Sequence, residues 1–542
     1  MRHAAHRRTS RRVPPNGVPV RRAPDRTALA YFDGRLSYAE TDALSDGVAA
    51  HLTARGFRRG DRAALMLQNS PHFVLALLGV WKAGGVAVSV NPMYKSAELR
   101  HILDDSGAAA VVCADRTWDA FLRDTAAATP SVHIALTACE AQLQSRDDTR
   151  VLRGERLGPR EGADDLLTAA RATGAVRALP DDPELTAGDI ALISYTSGTS
   201  GTPKGAMNTH GNIAYNAERQ RTGLDLPEGS TYFALAPLFH ITGMVCELSA
   251  CMANTGTLAL TYRFDAGVVL DAFLEHRPAY TVGPSTAYMA LMAHPGADRD
   301  HFTSFRTMSS GGAPLPPALV EKFRARFGPY LNNGYGLTEC TAPCASVPPG
   351  KEAPVDKVSG TLAVGVPGPD TVVRIIDEKG RDVPFGEQGE IAVRGPQVVP
   401  GYWRRPEATA EGIPDGELRS GDIGFMDADG WLYVVDRKKD MIIRGGFNVY
   451  PREVEEVLVR HPAVLEVAVI GVPDETRGEE VCAVVVVRPD ADGVTEQDLI
   501  AWSRERLGRH KYPRIVRFVE ALPLGPTGKV LKRALTAAAS SS

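Results

Sequence analysis

The sequence predicts an α/β protein in two parts: a large N-terminal domain of layered α/β sheets with a small β-rich, barrel-like subdomain, and a smaller α+β C-terminal domain. Three observations carry this expectation. The 542 residues exceed what one hydrophobic core organises. From "DGRLSYAETDALSDGVAAHL" to "RHILDDSGAAAVVC", helical spacing alternates with short β-branched runs such as "GGVAVSV", the pattern of helices layered on parallel sheet. Between residues 365 and 435 the pattern changes to short strands, "TVVRIID" and "GEIAVRG", punctuated by Gly, Pro and Asp turns.

Along the chain, residues 1–24 are rich in arginine and proline and lack the apolar stretch of a secretory signal, so a disordered tail is expected there. The large domain follows over 25–436. Its longest apolar segment, "FVLALLGVWKAGGVAVSV", is interrupted by Lys82 and two glycines and falls short of a bilayer span. The charged, weakly periodic "QSRDDTRVLRGERLGPREGADD" reads as a solvated loop. "DIALISY" reads as a buried strand and "GNIAYNAERQ" as the start of a helix, with residues 196–205 connecting the two. In the C-terminal part, 437–542, "PREVEEVLVRH" puts Pro451 in a first helical turn with Val454, Val457 and Leu458 on one face. Strand-like "VLEVAVIGV" and "EEVCAVVVV" follow, and Thr495 with Asp498 makes a capping box before Leu499.

A net charge of −4 gives no drive toward nucleic acid. Seven cysteines, none in a C-x-x-C, are too sparse for a disulfide framework and fit a reducing, cytoplasmic setting. Cys340 and Cys344 lack the histidine or second cysteine pair that would complete a zinc site. No transmembrane helix is expected.

Chemistry concentrates in "SYTSGTSGTPKGAM", residues 194–207. Glycines let backbone N–H groups turn toward an anion, hydroxyls add donors, and Lys204 adds a hydrated point charge, a combination suited to polyphosphate. Composition alone also fits a mobile surface turn. The segment is neither a Walker loop nor G-x-G-x-x-G, because Lys204 follows Pro203 and precedes Gly205.

Four further segments follow downstream, "YGLTE", "SGD", "DRKKDMIIRGG" and "PTGK". All five, in this order, resemble those of the adenylate-forming (AMP-binding) enzyme superfamily, which includes acyl-CoA synthetases, adenylation domains and beetle luciferases. The resemblance spans about residues 25–533. It is nearest to fatty-acid and aryl-acid CoA ligases on "NPMYKSAELRHIL" and "HKYPRIVRFVEALPLGPTGKVLKR".

The resemblance implies ATP, Mg²⁺ and coenzyme A as co-substrates and cofactor, and a mobile small domain hinged near Lys439. It implies that Thr196, Ser197, Gly198, Thr199, Ser200, Gly201, Thr202 and Lys204 steer the β- and γ-phosphates. Gly311, Gly312 and Ala313 would receive the adenine. Asn333, Gly334, Tyr335, Gly336 and Thr338 would complete the nucleotide site, with Thr338 on the α-phosphate and Glu339 holding the metal. Asp422 would accept hydrogen bonds from the ribose hydroxyls and Arg437 would complete that grip. Gly445 and Gly446 would belong to the loop that presents a thiol. Lys529 would be the catalytic lysine, acting with Thr196, Lys204, Glu339 and His240. Read from the residues alone, Glu339 also suits a helix start, residues 437–440 a solvated charge cluster, and Lys529 an exposed loop position.

The implied reaction is attack of a carboxylate oxygen on the α-phosphorus of ATP, releasing pyrophosphate, followed by a domain rotation and thiol attack on the acyl adenylate. Phe239, His240, Met244, Val245, Gly311, Cys340 and Ala342 are expected to form the acid pocket. His240 stands where amino-acid-activating relatives typically carry an aspartate, and a buried ammonium without a carboxylate is costly, so an α-amino acid is disfavoured. The small or apolar surroundings suit a fatty or aromatic acid. A carrier protein or another nucleophile as final acceptor, activation of an oxyanion such as nitrite, luciferase-like oxygenation, a catalytically silent AMP-binding protein and a homodimer all remain open at this point.

Overall fold

The computed structural model describes residues 21–152, 160–173, 185–196, 203–444, 447–474, 476–489, 491, 493–525 and 530–540. The expected disordered tail falls almost wholly on residues 1–20, outside the described residues, and the expected solvated loop falls partly on 153–159.

Two sheets build the large N-terminal part. One has nine strands in the order Val366–Pro367, Ala342–Ser346, Leu331–Leu337, Thr307–Ser310, Tyr280–Gly283, Thr231–Phe233, Thr257–Leu260, Thr27–Tyr31, Gly34–Ser37. The other has seven: Asp164–Asp165, Ile134–Ala138, Ala110–Ala114, Arg62–Met66, Val86–Ser89, Ile190–Thr196, Lys204–Thr209. Their central pairings are parallel. Such strands are covered on both faces, which is why "AVVCA" at Ala110–Ala114 is apolar throughout and buried throughout.

The long apolar segment is divided between a core helix, Pro71–Lys82, and the buried strand Val86–Ser89. Phe73, Val74, Leu75, Ala76, Leu77 and Val80 are wholly buried. Each large apolar side chain so buried contributes roughly 1.5–3 kcal/mol. No described helix is long and apolar enough to cross a membrane. The two sheets are stitched together at Asn69, whose backbone exchanges two 2.9 Å hydrogen bonds with Tyr262 while its amide donates to the carbonyls of Ala234 and Ala236.

The β-rich region is a four-stranded antiparallel sheet, Val372–Ile376, Gly389–Arg394, Leu418–Met426, Leu432–Arg437. The small C-terminal part is a five-stranded sheet dominated by the antiparallel pair Val464–Asp474 and Gly478–Val487. Its helix Pro451–Leu458 carries Pro451 in the first turn and buries Val454 and Leu458. The helix Glu496–Arg504 has the capping box of Thr495 and Asp498.

One expected connection is corrected. Residues 196–205 do not join a strand to a helix: Lys204–Thr209 is itself a strand, antiparallel to Ile190–Thr196 in a hairpin whose last described pair is Thr196 with Lys204. Its other edge bonds to residues 401–403, through Met207 N–H to the Gly401 carbonyl at 3.1 Å and Trp403 N–H to the Gly205 carbonyl at 2.7 Å. These partners lie almost two hundred residues downstream, beyond the reach of local pattern.

Candidate functional site

The C-terminal ends of parallel strands from both sheets open onto one cavity of about 2220 Å³, the position where open α/β sheets bind ligands. Its wall also includes the four-stranded sheet and, from the small C-terminal part, Gly525, Val530, Leu531 and Lys532.

One corner is built on the hairpin. Thr196 ends the first strand and Lys204 begins the second. Facing them, the short turn Thr338–Cys340 follows the strand Leu331–Leu337 and presents Glu339. Thr196 Oγ1 lies 3.4 Å from Glu339 Oε1, and the Tyr402 hydroxyl donates to the same oxygen at 3.0 Å. The Lys204 ammonium sits 5.6 Å from the centre of the Tyr402 ring, within cation–π range. Burial first, then the Glu339 carboxylate, raises the Tyr402 phenol well above its ordinary pKa, so it stays a donor. Glu339 Oε2 has no hydrogen bond among the described residues.

The turn bearing Glu339 is held from behind. Asn208 donates to the Thr338 carbonyl at 3.0 Å and to Thr341 Oγ1 at 2.9 Å, and Asn216 donates to the Thr341 carbonyl at 2.6 Å. Thr341 and Ala342 both adopt positive φ, 52° and 79°, a left-handed excursion that these buried amides stabilise. A side chain on Gly336 would place its Cβ 2.1 Å from the Ala342 carbonyl oxygen, so only glycine fits that crossing.

The second corner centres on Asp422, which is almost fully buried. Tyr335 donates to Asp422 Oδ2 at 2.6 Å and the Arg437 guanidinium pairs with Oδ1 at 3.1 Å. Burial opposes the Arg437 charge, but Asp422 and its neighbours outweigh that and raise the guanidinium pKa. Burial and then Asp422 raise the Tyr335 phenol. Nearby, Gly311, Gly312 and Ala313 line a shelf. Gly312 has φ 75°, and a Cβ added there would meet nothing. Asn333 and Gly334 also line the cavity, although the Asn333 amide is spent on the Ala363 carbonyl at 3.1 Å.

Of the expected acid pocket, Phe239, His240, Gly311 and Ala342 line the cavity. His240 Nδ1 accepts from Thr242 N–H at 3.3 Å. Met244, Val245 and Cys340 do not line it: all three are wholly buried in packed cores. Residues Gly243–Ser249 form a π-helical stretch, which shifts the facing of successive side chains and turns Cys246 to the cavity instead. Cys340 closes its own turn, its thiol donating to the Ala342 carbonyl at 3.2 Å and accepting from Leu337 N–H at 3.1 Å.

Ser197, Gly198, Thr199, Ser200, Gly201, Thr202, Gly445, Gly446 and Lys529 lie outside the described residues, as does the Lys439 side chain. The backbone of Lys439 sits in the one-turn helix Lys438–Asp440, directly after the strand carrying Arg437. Where the small part meets the large, Arg452 N–H donates to Asp436 Oδ2 at 2.8 Å and its guanidinium donates to the Val434 carbonyl at 2.6 Å. Burial raises the Asp436 carboxyl to about 6.

Tyr402 is absent from the expected site. Its signal was the aromatic pair after glycine in "PGYWRRPEATA", inside a stretch read only as strands and turns. Among the described residues no cluster of three or more His, Cys, Asp or Glu could hold a metal by itself.

Residues 18–403 match the model of the AMP-binding enzyme family and residues 453–529 that of the AMP-binding enzyme C-terminal domain. The chain is 39% identical over 521 residues to a feruloyl-CoA synthase of Amycolatopsis sp, covering 95% of this chain and 96% of that protein. It is 37% identical over 527 residues to a long-chain-fatty-acid–CoA ligase of Escherichia coli, covering 95% and 92%. Among solved structures, the anthranilate CoA ligase AuaEII in complex with anthranoyl-AMP superposes with a TM-score of 0.86 at 27% identity, covering 97% of this chain and 96% of that one. With both of its parts matched, the chain belongs to the AMP-binding, adenylate-forming enzyme family.

Proposed function

We propose that the protein is an AMP-forming acid–thiol ligase that activates a fatty or aromatic carboxylic acid with ATP and passes the acyl group to coenzyme A. The observation that carries this reading is the convergence of two separate polar corners on one cavity. Thr196, Lys204 and Glu339 gather at one, and Tyr335, Asp422 and Arg437 at the other. The first suits phosphates and the second a ribose, with Phe239, His240 and Ala342 left for the acid.

A carboxylate is a poor electrophile, so one of its oxygens first attacks the α-phosphorus of ATP and displaces pyrophosphate. The barrier is one of positioning and of charge on the phosphorus oxygens. Lys204 and Thr196 orient the departing phosphates, Thr338 contacts the α-phosphate, and Lys529 supplies further positive charge. Glu339 suits a hard cation: Oε1 is pinned by Tyr402 and Thr196 while Oε2 keeps its lone pairs. Mg²⁺ held there would neutralise phosphate charge. Asp422, with lone pairs beyond those used by Tyr335 and Arg437, orients the ribose.

For the second half-reaction, the domain beginning at residue 437 swivels about Lys439, withdraws Lys529, and brings the Gly445–Gly446 loop to the site. The thiolate of coenzyme A then attacks the acyl carbon and AMP leaves. A cytoplasmic setting fits seven cysteines that are all buried and free.

The test is ATP–pyrophosphate exchange over a panel of fatty and aromatic acids, followed by coenzyme A trapping. Acid-dependent exchange with thioester formation supports the proposal. Exchange without transfer to coenzyme A moves the acceptor to a carrier protein or another nucleophile. Nucleotide binding without exchange refutes adenylation.

A further inference from the structure

Arg219 occupies the helix His210–Leu224, and arginines are mostly exposed in folded proteins. It is instead 91% buried, with 9% of its surface exposed, and it borders the cavity. Its guanidinium donates to the Pro343 carbonyl and, at 3.1 Å, to Ser346 Oγ. Among the described residues no carboxylate pairs with it; the adjacent Glu218 is taken by Arg221 at 2.6 Å. Gly368 makes room for it, since a Cβ there would lie 2.2 Å from Arg219 Nε. Gln220, Cys246 and Ser346 share this stretch of wall, and it adjoins Ala342 of the acid pocket.

A buried cation without a counter-ion costs several kcal/mol. Bridging one carbonyl and one hydroxyl is within reach of a neutral amide, which carries no such cost. An arginine fork is suited to a carboxylate, and two of its five N–H donors are occupied.

We propose that Arg219 is a specificity-determining residue which receives the far end of the acid, selecting a substrate that carries a second, distal carboxylate. This rests on the acid-activating function above and narrows its substrate class. The first carboxyl reacts at the α-phosphate while the second neutralises Arg219, so the cost of the unpaired cation is relieved only when such an acid binds. A plain alkyl or aryl end would leave the guanidinium without a carboxylate partner.

The experiment uses the full chain, as wild type, Arg219→Gln and Arg219→Lys. The substrates are dicarboxylates from succinate to sebacate, each beside the monocarboxylate of equal length, read by pyrophosphate release and by titration calorimetry with a non-hydrolysable ATP analogue. For at least one length, wild type is expected to favour the dicarboxylate by about tenfold or more in kcat/KM, the scale of one hydrogen-bonded charge. Arg219→Gln loses that preference through the KM for the acid, with the KM for ATP kept, and Arg219→Lys retains part of it. Preference for monocarboxylates at every length overturns the proposal. So does a proportional loss on all acids in Arg219→Gln together with a fall in melting temperature, which marks a structural bridge. Calorimetry keeps the two readings apart: pyrophosphate release with monocarboxylates only sinks the Arg219 role and leaves adenylation standing. With no pyrophosphate release from any acid, adenylation fails, and equal dicarboxylate binding by wild type and Arg219→Gln still rejects Arg219.

Discussion

Replacing Tyr402 by phenylalanine removes one oxygen atom and tests how the phosphate corner is held. The hydroxyl donates to Glu339 Oε1 at 3.0 Å, while the ring, which would remain, lies 5.6 Å from the Lys204 ammonium. In Tyr402→Phe, Glu339 Oε1 keeps, among the described residues, only the long 3.4 Å contact to Thr196 Oγ1. A hydrogen bond to a charged group contributes about 1.5–3 kcal/mol. At 1.36 kcal/mol per tenfold, full expression of that loss in the transition state lowers kcat/KM for ATP by about 10- to 150-fold. The assay is continuous pyrophosphate release with ATP varied at saturating acid and several Mg²⁺ concentrations. The expected signature is a higher Mg²⁺ requirement and a lower kcat with the KM for the acid unchanged. An effect below about twofold, the lower edge of hydrogen-bond energies, with an unaltered Mg²⁺ dependence would refute the idea that Tyr402 positions Glu339.

Three other outcomes follow from the same structure. Lys529→Ala should cripple pyrophosphate release yet spare thioester formation from supplied acyl adenylate, so single-turnover assays of the two half-reactions separate its role; equal loss in both counts against it. Asp436 has its carboxyl raised to about 6 by burial, so the folded state holds a proton that the unfolded chain releases near its ordinary 3.8. The associated stability is full below the unfolded pKa and is lost as pH rises through about 6. Urea melts between pH 4 and 7 should show this slope in wild type and not in Asp436→Asn. Glu247 is wholly buried, and its Oε1 accepts from the backbone of Leu235, Ala236 and Val282, an acceptor role that a glutamine oxygen can fill; burial raises its pKa. Glu247→Gln should therefore melt close to wild type, whereas Glu247→Leu strands buried donors at about 1–3 kcal/mol each.

What the sequence made legible was whatever is encoded locally. The capping box at Thr495, the proline-led helix at Pro451 and the buried strand at Ile190 all follow from side chains within a few positions of one another. Glu339, Asp422 and Arg437 were legible because each sits in a short segment of fixed order, although their meeting is a long-range event. The hairpin at Lys204–Thr209 was not legible, because "KGAMNT" has no strand-like alternation of its own and is set by pairing to residues 190–196 and 401–403. Met244 and Val245 were assigned to the pocket as apolar neighbours of Phe239 and His240 in the chain, and the π-helical stretch at Gly243–Ser249 turns Cys246 to the cavity in their place. Arg219 was passed over because a charge on a helix is usually solvated, and only the packing against Gly368 and Pro343 shows otherwise.

The most direct measurement follows oxygen. With the substrate carboxylate labelled with heavy oxygen and the products separated by mass spectrometry, one labelled atom should appear in AMP and none in pyrophosphate, because the bond to the α-phosphorus is made by the acid. Label retained wholly in the acyl product, or found in pyrophosphate or phosphate, would contradict an acyl adenylate formed in this cavity.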